Sequence, residues 1–145
     1  MLYADSSALL RAYFRDEDDH ESLRRLLLES GELVVTSELA RVELASAVRS
    51  ASDAGRIRDR TALERRIEAN YGPGGPLILL ELDRLTVLPT AHRLVREHRL
   101  RTLDAIHLAV ALEDARTLAD GAAVVLVTRD ADQAAAARAL GLAVA

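Results

Sequence analysis

Two acid-bearing segments pose the first chemical question in this 145-residue chain. The stretch R-T-L-D-A-I-H-L-A-V-A-L, residues 101–112, is almost wholly apolar from Leu103 onward, yet it carries Asp104 and His107 one helical turn apart. Asp is a poor helix-interior residue and is costly to bury as a charge. The chain also opens M-L-Y-A-D, an apolar run that ends on Asp5. Two further acids stand in similar settings. Asp130 follows V-L-V-T-R, and Glu43 has Leu39, Ala40, Ser46 and Ala47 as its helical neighbours. Carboxylates that share a site repel and raise one another's pKa. A divalent cation removes that repulsion. The chain has no cysteine, so hard oxygen ligands are the ones on offer, and these suit Mg²⁺ or Mn²⁺. Such an ion polarises a phosphoryl oxygen, activates a water and holds a leaving oxygen. That is the chemistry of phosphodiester hydrolysis.

Each residue also has a plainer reading. Asp104 can be a first-turn acid favoured by the helix dipole, worth ~0.3–1 kcal/mol. Glu43 can pair at the surface with Arg41 or Arg49. Asp5 and Asp130 can cap the helices that follow them. His107 reads as a core histidine or a support for the site rather than a metal ligand. Asp132 reads as a helix-start acid, and residues 16–19 as a solvated acidic face. The set of four acids is harder to dismiss than any member, because an alternating strand–helix chain would gather them.

That alternation is visible. Residues 1–5 read as a strand, residues 33–36 (L-V-V-T) as a second, and residues 123–128 (A-V-V-L-V-T) as a continuous apolar strand buried on both faces. Short strands are also expected at residues 86–88, stopped by Pro89, and at residues 142–145. Helices are expected from Ser6 or Ser7 to about residue 15, from the acidic 16–21 segment to Gly31, from Thr36 or Ser37 to about residue 54, and over residues 58–71, 77–82, 90–97, 102–117 and 131–140. Gly72-Pro73-Gly74-Gly75-Pro76 is the one strong breaker, too short to divide the chain. One domain over residues 1–145 is expected: α/β, three layers, with a central parallel sheet. In such folds ligands bind outside the carboxyl ends of the strands, which is where Asp5 and Asp130 would fall.

Composition sets limits. Half of the residues are hydrophobic and the net charge is −4, so the chain is not coated for nucleic acid as a whole. There is no lysine, which excludes any mechanism needing a catalytic Lys. No apolar run reaches the ~18 residues of a membrane span, and the start lacks a basic leader. A cytoplasmic protein, with no membrane partner, is the expectation.

At these residues the sequence resembles PIN-domain ribonucleases, and among them the VapC-type toxins of bacterial toxin–antitoxin pairs. The segments that carry the resemblance are Leu100-Arg101-Thr102-Leu103-Asp104-Ala105-Ile106-His107-Leu108-Ala109, Tyr3-Ala4-Asp5-Ser6-Ser7-Ala8-Leu9, Ser37-Glu38-Leu39-Ala40-Arg41-Val42-Glu43-Leu44, and Val127-Thr128-Arg129-Asp130 leading to Gly141-Leu142. They come in the family's order and span nearly the whole chain. The resemblance implies that Asp5, Glu43, Asp104 and Asp130 form an acidic Mg²⁺ site. Asp5 and Asp104 would be the principal ligands, and Glu43 and Asp130 would complete it directly or through water. It implies a three-layer fold, an endoribonuclease toxin, a cognate antitoxin and a homodimer.

On this reading Asp104 sits in a packed helix so that Leu103, Ile106 and Ala109 or Val110 anchor it rigidly. Ser6, Ser7 or Thr128 would position water or phosphate. Arg11, Arg101 and Arg129 would hold flanking phosphates of an RNA that is single-stranded at the cut. One rival is a phosphoacceptor receiver domain, but receivers use a site Lys and a doublet of acids near the start, and both are missing. The other is a catalytically silent PIN-like module that binds RNA or a protein partner.

Overall fold

Five short strands form one sheet: β1 (Leu2–Ala4), β2 (Val34–Ser37), β3 (Leu77–Leu80), β4 (Val125–Val127) and β5 (Ala143–Val144). The computed structural model describes residues 1–145. The strand order is β3-β2-β1-β4-β5 and every pairing is parallel. The register sets Leu2 against Val34 on one side and against Val125 on the other. Parallel strands must be joined by crossovers, and helices supply them. These are α1 (Ser6–Tyr13), α2 (His20–Arg24), α3 (Leu39–Asp53), α4 (Arg60–Tyr71), α5 (Val87–Glu97), α6 (Thr102–Val110), α7 (Arg116–Ala119) and α8 (Ala131–Ala139). π-helical turns at Arg25–Glu29 and Ala111–Ala115 extend α2 and α6.

The sheet divides the apolar interior in two. Tyr3 and Val35 face Val87, Leu94, Ala105 and Leu108 of α5 and α6, together with Ala136 and Ala137 of α8. Ala4, Val34 and Val127 face Leu9 of α1, Leu44 and Val48 of α3 and Ile67 of α4. Successive strand residues therefore feed opposite layers, as the two-residue repeat of a strand requires. The expected three-layer α/β/α architecture is the observed one. The helix expected over residues 102–117 is one continuous helical rod from Thr102 to Ala119 whose middle turn is π rather than α. No helix is long and apolar enough to cross a membrane.

Two elements differ from the sequence expectation. Residues 77–82 are expected to be a short helix. Residues 77–80 instead form β3, which pairs along its whole length with β2. Helix propensity differs by only a few tenths of a kcal/mol per residue, and strand pairing with Leu77 buried overrides it. Residues 86–88 were expected to be a strand ended by Pro89. They instead open α5, with Pro89 third in the helix. In the first turn a backbone N–H has no intrahelical partner, so a proline there loses nothing.

The turn that delivers β3 depends on Gly75. A Cβ built there would lie 2.3 Å from the Asn70 carbonyl oxygen and 2.8 Å from that of Ala69. Both obstacles are backbone atoms at the end of α4, which cannot rotate away. Gly75→Ala is therefore expected to destabilise the protein by about 2 kcal/mol, in the range of overpacking substitutions. Urea unfolding checks this, and a variant as stable as wild type would show that the turn has room.

Candidate active site

From β1 the chain builds outward to β2 and β3 on one side, and only later adds β4 on the other. The crevice where the order reverses lies between the carboxyl ends of β1 and β4. Asp5 directly follows β1, and Asp130 lies just past β4. The α1–α4 layer contributes Asp5 and Glu43; α6 and the start of α8 contribute Asp104 and Asp130.

Asp5 is the N-cap of α1, its Oδ1 accepting from the Ala8 N–H at 3.0 Å and from the Ser7 hydroxyl at 2.8 Å. Its Oδ2 accepts from the Thr128 hydroxyl at 3.0 Å. The carboxyl is only 3% exposed. Burial pushes its pKa above the usual range, against the opposing pull of the Ala8 and Ser7 hydrogen bonds. Ser7 and Thr128 thus hold Asp5 itself. Thr128 also accepts from the Asp130 N–H at 3.1 Å, so one hydroxyl ties the ends of β1 and β4 together.

Glu43 makes no pair with Arg41 or Arg49, which bind Glu68 and Asp53 instead. It turns inward. Its Oε2 accepts from Ser6 Oγ at 2.5 Å and pairs with His107 Nε2 at 2.6 Å. Burial pushes the Glu43 pKa up, but the hydrogen bonds from His107 and Ser6 outweigh it and hold the carboxyl below its ordinary value. His107 is 2% exposed, and its Nδ1 lies 3.0 Å from the fully buried Tyr3 hydroxyl. Burial, and then the Asp5 charge, raise the Tyr3 pKa well above normal. Tyr3 therefore stays a neutral phenol. Tyr3, His107, Ser6 and Glu43 form one hydrogen-bonded line from the core to the crevice.

Asp104 lies in the first turn of α6 and Asp130 is the N-cap of α8, its Oδ1 accepting from the Gln133 N–H at 2.8 Å. Gln133, fully buried, sends its own Nε2 to the Asp104 carbonyl at 3.0 Å. It thereby braces α8 against α6. Arg101 lies between the two acids. Its Nε is 2.7 Å from Asp104 Oδ2, and one terminal nitrogen reaches both Asp104 Oδ1 at 3.3 Å and Asp130 Oδ2 at 3.1 Å. Asp132 stands exposed in the first turn of α8, outside this group.

All four sequence-selected acids therefore come to one edge of the sheet. Asp104 and Asp130 share a cation, and Asp5 and Glu43 are each held by hydroxyls of the Ser6–Ser7 pair. No three acidic or histidine side chains converge closely enough to enclose an ion as they stand. The donor chemistry nevertheless fits a hard divalent cation. The donors are carboxylate oxygens, and the guanidinium between Asp104 and Asp130 marks where positive charge is already accepted.

Some expectations need correction. Leu103 does not anchor α6, being 44% exposed; Ala105, Leu108 and Ala109 do. The inward face of the helix begins at Ala105, two residues later. Arg129 is not free for phosphate: Asp19 and the carbonyls of Thr128 and Ala145 hold it. Tyr3 and Gln133 escaped the sequence reading. A polar tip inside the apolar M-L-Y-A run was the available signal for Tyr3, and the position three residues after a capping Asp was the one for Gln133.

A parallel α/β/α domain with acids gathered at its switch point defines a class of fold. The PIN domain family model matches residues 2–139. The chain belongs to the PIN domain family. Its structure is similar to that of Mycobacterium tuberculosis VapC20, described as a sarcin–ricin loop cleaving toxin. The TM-score is 0.69 at 16% identity, covering 94% of this chain and 95% of that one. No curated protein matches the sequence.

Proposed function

We propose that this chain is a Mg²⁺-dependent endoribonuclease acting as the toxin of a toxin–antitoxin pair. The observation that carries the reading is the placement of Asp5, Glu43, Asp104 and Asp130 along one carboxyl edge of the sheet beside the β1–β4 crevice, two from each helical layer. Asp5 and Asp104, completed by Asp130 and Glu43, would hold Mg²⁺, with Mn²⁺ as a substitute. Bound there, the ion would supply Lewis acidity to the phosphoryl oxygens and lower the pKa of water.

The chain's own residues have separate tasks. Both bonds to Glu43 fall on Oε2, which leaves Oε1 to accept a hydrogen bond from a water. Ser7, Thr128 and the Ala8 N–H fix the orientation of Asp5. Hydrolysis forms a bond from water oxygen to phosphorus and breaks the bond to the 3′ oxygen. The products are a 5′-phosphate and a 3′-hydroxyl, which takes up a proton. RNA single-stranded at the cut fits an open crevice better than a duplex. The substrate described for VapC20, the sarcin–ricin loop, is a suitable first RNA to offer. A cognate antitoxin, a homodimer and a cytoplasmic location belong to the same proposal.

A silent module that binds RNA or a partner is favoured by one observation: Arg101 already occupies the Asp104–Asp130 pair. Cleavage separates the two readings. Purified protein is expected to cut RNA in Mg²⁺ or Mn²⁺ and to stop when a chelator is added. Absence of metal-dependent cleavage of both total RNA and the isolated sarcin–ricin loop, by a protein that binds RNA, would favour the module.

A further inference from the structure

Arg101 is 79% exposed at its side chain, yet it is the one basic residue that touches two of the four acids. An exposed arginine has many rotamers to lose, and surface ion pairs repay that only weakly. Arg99, two residues earlier, is also exposed and makes no such contact. The placement follows from the fold. α5 packs against α6, and residues 98–101 join them, so Arg101 stands at the amino end of α6 over the crevice.

We infer that Arg101 is a substrate-positioning residue that the Asp104–Asp130 pair holds in place of a cation, and that metal binding releases it to grip an RNA phosphate. The inference rests on the nuclease reading. A guanidinium and a divalent ion cannot use the same carboxylate oxygens at once. Three contacts tie Arg101 down: Nε to Asp104 Oδ2, and one terminal nitrogen to Asp104 Oδ1 and Asp130 Oδ2. When the oxygens turn to the metal, the planar fork is left at the lip of the site. A fork of that geometry suits a phosphate, which presents two oxygens at matching spacing. Arg101 thus competes with the metal when substrate is absent and assists it when substrate is present.

The two roles give opposite signs in one variant. Calorimetric titration with Mn²⁺ alone, without RNA, is expected to show Arg101→Gln binding the ion about fivefold more tightly than wild type, the size of a released exposed ion pair. Cleavage kinetics should then show its KM for RNA raised about tenfold, with kcat much less affected. Arg99→Gln removes the same charge two residues away and should leave Mn²⁺ affinity at the wild-type value. Arg101→Lys keeps the charge but cannot span both acids, so its Mn²⁺ affinity should approach that of Arg101→Gln.

Equal tightening in Arg99→Gln would reduce the effect to net charge and overturn the inference. So would an Arg101→Gln variant with unchanged Mn²⁺ affinity or unchanged KM. If wild type binds Mn²⁺ and Asp104→Asn does not, those failures concern Arg101 alone. If wild type binds no Mn²⁺, the nuclease reading falls first and the inference with it.

Discussion

Asp5→Asn is expected to lower RNA cleavage by on the order of a thousandfold, the equivalent of several kcal/mol of lost metal-borne stabilisation, and at the same time to make the fold harder to unfold at neutral pH. The second half follows from burial. The Asp5 pKa lies above its ordinary 3.8 because the carboxyl is buried. Over the interval between the unfolded and folded values the native state binds more protons than the unfolded chain. Stability is therefore fully present below the unfolded value and is lost as pH rises through the folded one. At pH 7, above the unfolded value, the raised pKa counts against the native state. An asparagine keeps an oxygen for the Ala8 N–H and Ser7, and its amide can donate to the Thr128 hydroxyl. A gain of about 1 kcal/mol at pH 7 is expected, as for other substitutions that relieve a functional site. The gain should shrink toward zero below the unfolded pKa. Urea unfolding at pH 7 and at acid pH, with chelator present, measures both. A variant that cuts RNA like wild type, or is less stable at pH 7, would remove Asp5 from the metal site or from its strained burial.

The second large effect belongs to His107. Changing it to Leu removes the partner of a fully buried phenol and one of the two partners of Glu43. An orphaned buried polar group costs about 1–3 kcal/mol, and here two groups are affected, so a loss of about 3 kcal/mol is expected. Because replacing both members of a buried pair by apolar groups is far less costly than replacing one, Tyr3→Phe should recover about 1–2 kcal/mol of that loss in the double variant. Cleavage should fall about 10- to 100-fold, the usual cost of removing a group that orients a site residue. Additive effects in the Tyr3–His107 cycle would mean that the two side chains are neighbours without being partners.

How far the sequence led can be judged residue by residue. The apolar strand 123–128 and the opening M-L-Y-A-D were readable because strands buried on both faces are continuously apolar and short. The family model and the observed topology bear out the PIN reading and the parallel three-layer sheet. β3 was misread because L-I-L-L carries no alternation, and only its pairing with β2 decides its state. The start of α5 was misread because Pro89 stops a strand as readily as it begins a helix. The capping reading of Asp5 and Asp130 and their gathering at one edge were set out as rivals. Both hold, since a cap at the carboxyl end of a parallel strand is also at the crevice. What no local pattern carried was the set of contacts between distant residues: Gln133 to the Asp104 carbonyl, Arg101 to Asp130, Tyr3 to His107. Each depends on how two layers dock.

The central position of β1 has a consequence for the chain during its own synthesis. β1 is made first but is flanked by β4, and the Thr128–Asp5 bond spans 123 positions of sequence. A nascent chain that has reached α6 already holds Asp5, Glu43 and Asp104, yet one edge of β1 is still open and Asp5 lacks its hydroxyl donor. At about 5–20 residues per second, several seconds of translation pass between the first strand and its closing neighbour. Truncated products would carry most of the acids without the crevice that aligns them, so the activity proposed here would arrive in a single step, once β4 has been made and docked.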